Sequence, residues 1–170
     1  IVAMMSRTKE KGGEMKVSDK RLREAVGAEE GTILCGLSYK STSEILIELN
    51  QKAGYERYKK FSEDHHSILT GGEAKFILDK EREIVLILIP GTNSPLDAAQ
   101  WSTKGFRQYY YTGAKEKYED VIQKAKISGY TPFSFSHSQG VTTGQRIYID
   151  YGIEGYGQNG TSISLIEIEY

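Results

Sequence analysis

A chain of 170 residues, 38% hydrophobic and 26% charged, has the size and composition of one globular domain with a real core. Its formal net charge of −1 supplies no long-range field that would draw it to nucleic acid or an anionic membrane. Cys35 is the one cysteine, which excludes a disulfide framework or a cysteine metal cluster within the chain.

The first seven residues, Ile1-Val2-Ala3-Met4-Met5-Ser6-Arg7, lack the long apolar core of a signal peptide. A start on Ile rather than Met suggests a processed, tagged or excised piece of a longer chain. No window reaches the roughly 18 uninterrupted apolar residues of a membrane span. Residues 1–30 read as a charged N-terminal segment, in which Val17, Leu22 and Val26 can share one face of a short helix begun by Ser18 or Asp19. Residues 31–170 read as the folded core.

Residues 33–39 are apolar enough to be buried, as strand or helix, with Cys35 as a small buried hydrophobe. Ser41-Thr42-Ser43-Glu44 has the spacing of a capping box and predicts a helix to about Lys52, stopped by Gly54. Residues 55–64 are basic and aromatic and read as a further helical turn or two, with His65 and His66 in an exposed polar loop. Residues 75–79 and 83–89 are β-rich runs around Lys80-Glu81-Arg82, a hairpin. The second run is apolar throughout, as in a central strand covered on both faces. Pro90 and Pro95 make the following stretch a loop.

Residues 112–128 predict an amphipathic helix, since Tyr118, Val121, Ile122 and Ala125 recur at i, i+3, i+4 and i+7, and Gly129 ends it. Tyr109-Tyr110-Tyr111 would anchor that helix to the sheet. A short strand ending at Phe133-Ser134-Phe135 then runs into Ser136-His137-Ser138-Gln139-Gly140, a sharp turn before a helix. Strand, helix, strand, turn and helix in that order predict a βαβ crossover and a mostly parallel sheet flanked by helices. Residues 162–170 read as a last strand, suited to an edge that could pair with another chain.

The turn carries the chemistry. A serine lifted out of a sheet on a strand–turn–helix elbow exposes its hydroxyl beside the N–H groups that open the helix. Those groups can hold the negative charge that develops on an attacked carbonyl. The usual pattern is G-x-S-x-G, and Ser136 stands where its first glycine would be.

From Ala74 to Tyr148, somewhat under half the chain, the order of motifs resembles the class 3 lipase branch of the α/β-hydrolases. Ile89-Pro90-Gly91-Thr92 matches the loop after the hairpin, Asp97 and Trp101 the aspartate–tryptophan pair, and Gly105-Phe106 the family's Gly-Phe. The helix and the Ser138 elbow follow in the same order. The resemblance implies an incomplete α/β-hydrolase-like fold and a lipase- or esterase-like activity through an acyl-serine, with no metal and no organic cofactor. It makes Ser138 the nucleophile and Thr92 and Gln139 the oxyanion donors. Ser136, His137 and Gly140 are structural at the elbow. Leu96, Trp101 and Phe106 would suit an acyl chain, so the partner is an ester or lipid substrate.

The departures matter as much. Pro90 replaces the family's arginine, Val141 replaces its last glycine, and Asp97 and Trp101 are four apart rather than adjacent. No histidine follows His137, and downstream carboxylates are limited to Asp150, Glu154, Glu167 and Glu169. A serine hydroxyl needs a base, and in this fold the acid and then the histidine follow it. His65 and His66 are weak candidates for that base. The resemblance therefore implies either part of a longer hydrolase, completed by the rest of its polypeptide or a second chain, or a non-catalytic lipase-like binding domain. Ser41-Thr42-Ser43 and Glu167-Ile168-Glu169 also resemble elements of ADP-ribosyltransferases, but they lie too far apart, and Ser41 is better used as a helix cap.

Overall fold

The computed structural model describes residues 2–5, 26–66, 73–91, 114–138 and 140–158. Among these the strands are β1 (Val2–Met5), β2 (Tyr58–His66), β3 (Glu73–Asp79), β4 (Ile84–Ile89), β5 (Thr131–His137) and β6 (Gly155–Gln158). The helices are α1 (Ala28–Leu37), α2 (Thr42–Ala53), α3 (Ala114–Ile127) and α4 (Gly140–Tyr151). All six strands form one sheet in the order β1-β6-β5-β4-β3-β2.

Two apolar layers hold the helices to this sheet. On one face Leu34, Cys35 and Leu37 of α1 and Ile45 and Leu49 of α2 pack with Ile77, Leu86, Leu88, Phe133 and Phe135. On the other, Tyr118, Val121, Ile122 and Ala125 of α3 and Ile147 of α4 pack with Phe76, Leu78, Val85, Ile87 and Ile89. The alternation of β4 between the two clusters is why every one of its residues is apolar and buried. The result is a three-layer α/β arrangement.

The local signals for α2 and α3 hold. Ser41 accepts the Glu44 amide at 3.2 Å, and Gly54 closes α2 with φ of 82°. Gly129, with φ of 77°, follows α3. Residues 33–37 resolve as part of helix α1, and β3 and β4 pair antiparallel as the hairpin predicts.

Three readings are corrected. The sheet is mixed, not mostly parallel: only β4–β5 and β5–β6 are parallel, and the other three ladders run antiparallel. Residues 58–66 are a strand rather than helical turns. Register shifts at Lys60/Ser62 and Ser62/His65 place Tyr58 and Phe61 three apart on the buried side, a spacing that imitates a helix. His65 and His66 accordingly end β2 instead of lying in a loop. The Val17 and Leu22 helix face, Asp97, Trp101, Phe106, the Tyr109-Tyr110-Tyr111 run and the 162–170 strand lie outside the described residues. Within 1–30, β1 pairs with β6, and α1 begins at Ala28.

Asp79, 1% exposed, receives a two-pronged Arg57 guanidinium at 2.8 Å on each oxygen and the turn amides of Glu81 and Arg82. Asn50 of α2 donates to the Tyr58 carbonyl and accepts its amide, at 3.0 and 2.8 Å, standing in for a neighbouring strand.

Gly36 lies in α1 with no positive φ, and a Cβ added there would meet nothing within 4 Å. Gly36→Ala is expected to stabilise the protein by about 0.5–1 kcal/mol through helix propensity, read from urea denaturation midpoints. A loss of stability would contradict the helix geometry.

Candidate functional site

The site forms where β4, β5 and β6 end together. β5 runs to His137, Ser138 adopts φ of 51°, and α4 begins at Gly140. A left-handed backbone is costly for a serine, and it turns the side chain out of the strand's alternation. Two hydrogen bonds hold it there: the Ser138 amide donates to the Gln158 carbonyl at 2.9 Å, and the Val141 amide donates to the Ser138 carbonyl at 3.1 Å.

Glycines make room for this turn. A Cβ on Gly91, just beyond β4, would lie 2.7 Å from Ser138 Cβ and 2.9 Å from the His137 carbonyl oxygen. One on Gly140 would meet the Ile89 and Pro90 carbonyl oxygens at 2.5 and 2.6 Å. The serine at 136 fits because the missing glycine is supplied by the neighbouring strand. Ser136 is paired with Gly157, is fully buried, and donates from Oγ to the Tyr156 carbonyl at 3.3 Å. Val141 occupies the space over the same glycine, where an added Cβ would sit 2.9 Å from its Cγ1. Both departures from the lipase pattern are thus accommodated by Gly157.

His137 lies with Tyr39, which follows α1. The Tyr39 hydroxyl is 2.7 Å from His137 Nδ1 and accepts the Gly91 amide at 3.1 Å. Burial lowers the His137 pKa below its ordinary 6.5. Cys35 is buried beneath this region, with its thiol pushed up to about 12 by burial, so it is an inert packing group.

The other sequence candidates are not brought to Ser138. His65 and His66 end β2 at the same edge of the sheet, but β3 and β4 intervene. Three inter-strand steps amount to roughly 14 Å. His65 is half-buried against α3, its pKa lowered by burial and then by Lys117 and His66, and its buried Nε2 has no hydrogen-bond partner among the described residues. Asp150 lies ten residues along α4 from Gly140, a rise of about 15 Å. The Glu154 carbonyl accepts the Ser134 amide at 2.9 Å, four residues upstream of Ser138 and roughly 13 Å away along the strand. Thr92, Gln139, Leu96, Glu167 and Glu169 lie outside the described residues. The roles of Tyr39 and Gly157 carry no signal in the sequence, because each acts through a contact with another element of the fold, whereas Gly91 is marked by the Ile89-Pro90-Gly91-Thr92 loop.

No family model matches the chain, and no curated protein sequence matches it. Among solved structures it is similar to the Lip2 lipase from Yarrowia lipolytica, at 15% identity and a TM-score of 0.44, over 72% of this chain and 50% of the lipase. The chain therefore spans about half the length of that protein. Among the described residues no helix is long and apolar enough to cross a membrane, and no group of three metal-ligating side chains occurs.

The geometry of the turn and the burial of two histidines can each be tested by stability. Gly140→Ala forces a Cβ against backbone oxygens and is expected to cost about 1–3 kcal/mol in urea denaturation; stability equal to the parent would refute the tight turn. His65 and His137 both have folded pKa values below 6.5, so the unfolded chain binds more protons as pH falls through that value. Stability should be intact above pH 6.5 and decline below it, and the decline between pH 7.5 and 5.5 should flatten in a His65→Gln, His137→Gln double variant.

Proposed function

We propose that this chain carries the nucleophile half of a lipase- or esterase-like serine hydrolase of the α/β-hydrolase type. The observation that carries the reading is Ser138 at φ of 51°, on a turn between a parallel strand and a helix, against the backbone that leaves β4. In this reading Ser138 Oγ attacks an ester carbonyl. The Thr92 and Gln139 amides hold the oxyanion, each donor worth about 3 kcal/mol of transition-state stabilisation. A histidine takes the serine proton and returns it to the leaving alcohol, and water then releases the acid from the acyl-serine. That histidine belongs to the rest of a longer polypeptide or to a second chain. Leu96, Trp101 and Phe106 would receive the acyl group.

A second reading is a non-catalytic lipase-like binding domain. It is favoured by the backbone placement of the described candidates for base and acid: His65, His66, Asp150 and Glu154 lie roughly 13–15 Å from Ser138 along the strand and helix spacings above.

Fluorophosphonate labelling read by intact mass separates the two. The hydrolase reading expects one adduct on the parent chain once the downstream polypeptide that brings the histidine is added, absent from Ser138→Ala. A folded parent chain that takes no label, alone or with the downstream polypeptide added, would leave the binding-domain reading.

A further inference from the structure

We infer that Tyr39 is the positioning residue of the Ser138 turn, its hydroxyl clasping the end of β4 to the end of β5 and fixing one tautomer of His137. Its consequence for reactivity rests on the serine-hydrolase reading; the clasp itself does not.

The backbone carrying Tyr39 is pinned although its ring is 38% exposed. Ser38 is fully buried and donates from Oγ to the Cys35 carbonyl at 2.6 Å. Lys75, 1% exposed on β3, donates from Nζ to the Ser38 carbonyl at 2.6 Å and pairs with Glu73 at 2.7 Å. The ring meets His137 edge-on, with centroids 5.2 Å apart and planes at 78°.

From this base the hydroxyl reaches two strands. It accepts the Gly91 amide proton at 3.1 Å and lies 2.7 Å from His137 Nδ1, to which we assign its own proton. His137 is then neutral with its proton on Nε2, the charge state that its burial also favours. The Gly91 amide is occupied and cannot serve an oxyanion, so the donors must come from beyond Gly91 and from the turn itself. A Cβ on Gly91 would sit 2.8 Å from the Tyr39 hydroxyl and 2.7 Å from Ser138 Cβ. Hydroxyl, strand end and serine therefore form one contact cluster. A displacement of about 1 Å in such a cluster can cost 100-fold in rate.

Tyr39→Phe keeps the ring and removes both hydrogen bonds. Three readouts test the clasp: the imidazole ¹⁵N shifts of His137, identified by their loss in His137→Gln, the exchange rate of the Gly91 amide, and the rate of fluorophosphonate labelling at Ser138. The parent should show an unprotonated, hydrogen-bonded Nδ1. The variant should show mixed tautomers, Gly91 exchange at least tenfold faster and labelling at least tenfold slower, with the far-UV spectrum unchanged. A purely structural tyrosine would lower the melting temperature without moving the tautomer. Unchanged His137 and Gly91 signals overturn the clasp, whatever the labelling does. Moved signals with unchanged labelling overturn the positioning role. If the parent takes no label even with the downstream polypeptide added, the hydrolase reading and the positioning role fall together, while the shifts and the exchange rate still decide the clasp.

Discussion

The left-handed backbone of Ser138 can exist only because three backbones are allowed to touch around it. The strain of a non-glycine residue in that region is about 1–2 kcal/mol. It is offset by two hydrogen bonds and by packing of the turn against Gly91 and Gly140, where the backbones of β4 and α4 pass closer than any Cβ would allow. Those contacts require β4, β5 and β6 to end level with one another. Parallel pairing gives this directly, with Ile89 beside Ser136 and Ser136 beside Gly157. The two parallel ladders of an otherwise antiparallel sheet are thus the ones that the site needs.

The apolar layers explain why that edge is stiff. β4 contributes alternately to both clusters, so neither face can shift without exposing side chains on the other. Lys75 adds a polar restraint to the α1 side. Placing an ammonium where it is 1% exposed is costly, and the cost is offset only while the Glu73 carboxylate and the Ser38 carbonyl hold their places. A buried charge with two fixed partners specifies geometry more than it adds stability. Here it specifies the position of the residue before Tyr39.

What could be read from the sequence divides along physical lines. Helices with an explicit start, stop and period were legible: Ser41 and Gly54 bound α2, and Tyr118 to Ala125 mark the buried stripe of α3. So were β3, β4 and the elbow, because their signals are local. β2 was not, since its bulges replace the period of two with a spacing of three. β6 was not, because two of its four residues are glycine and only Tyr156 looks like a strand residue. Yet one of those glycines, Gly157, admits Ser136 and Val141 at the elbow. Ser136 and Val141 stand out in the sequence as departures, but their compensation lies in a different strand, where no single-segment pattern could disclose it.

His137 illustrates how the site constrains its own chemistry. A histidine beside a nucleophilic serine invites the role of base, and its pKa, lowered by burial, would not forbid that. Its Nδ1 is held by a phenol that is itself held by the Gly91 amide, on the side of β5 that faces α1. A proton taken from Ser138 would need a nitrogen free to turn toward the hydroxyl, and turning this ring breaks its hydrogen bond with Tyr39. The arrangement that shapes the elbow therefore withholds the adjacent imidazole from proton transfer.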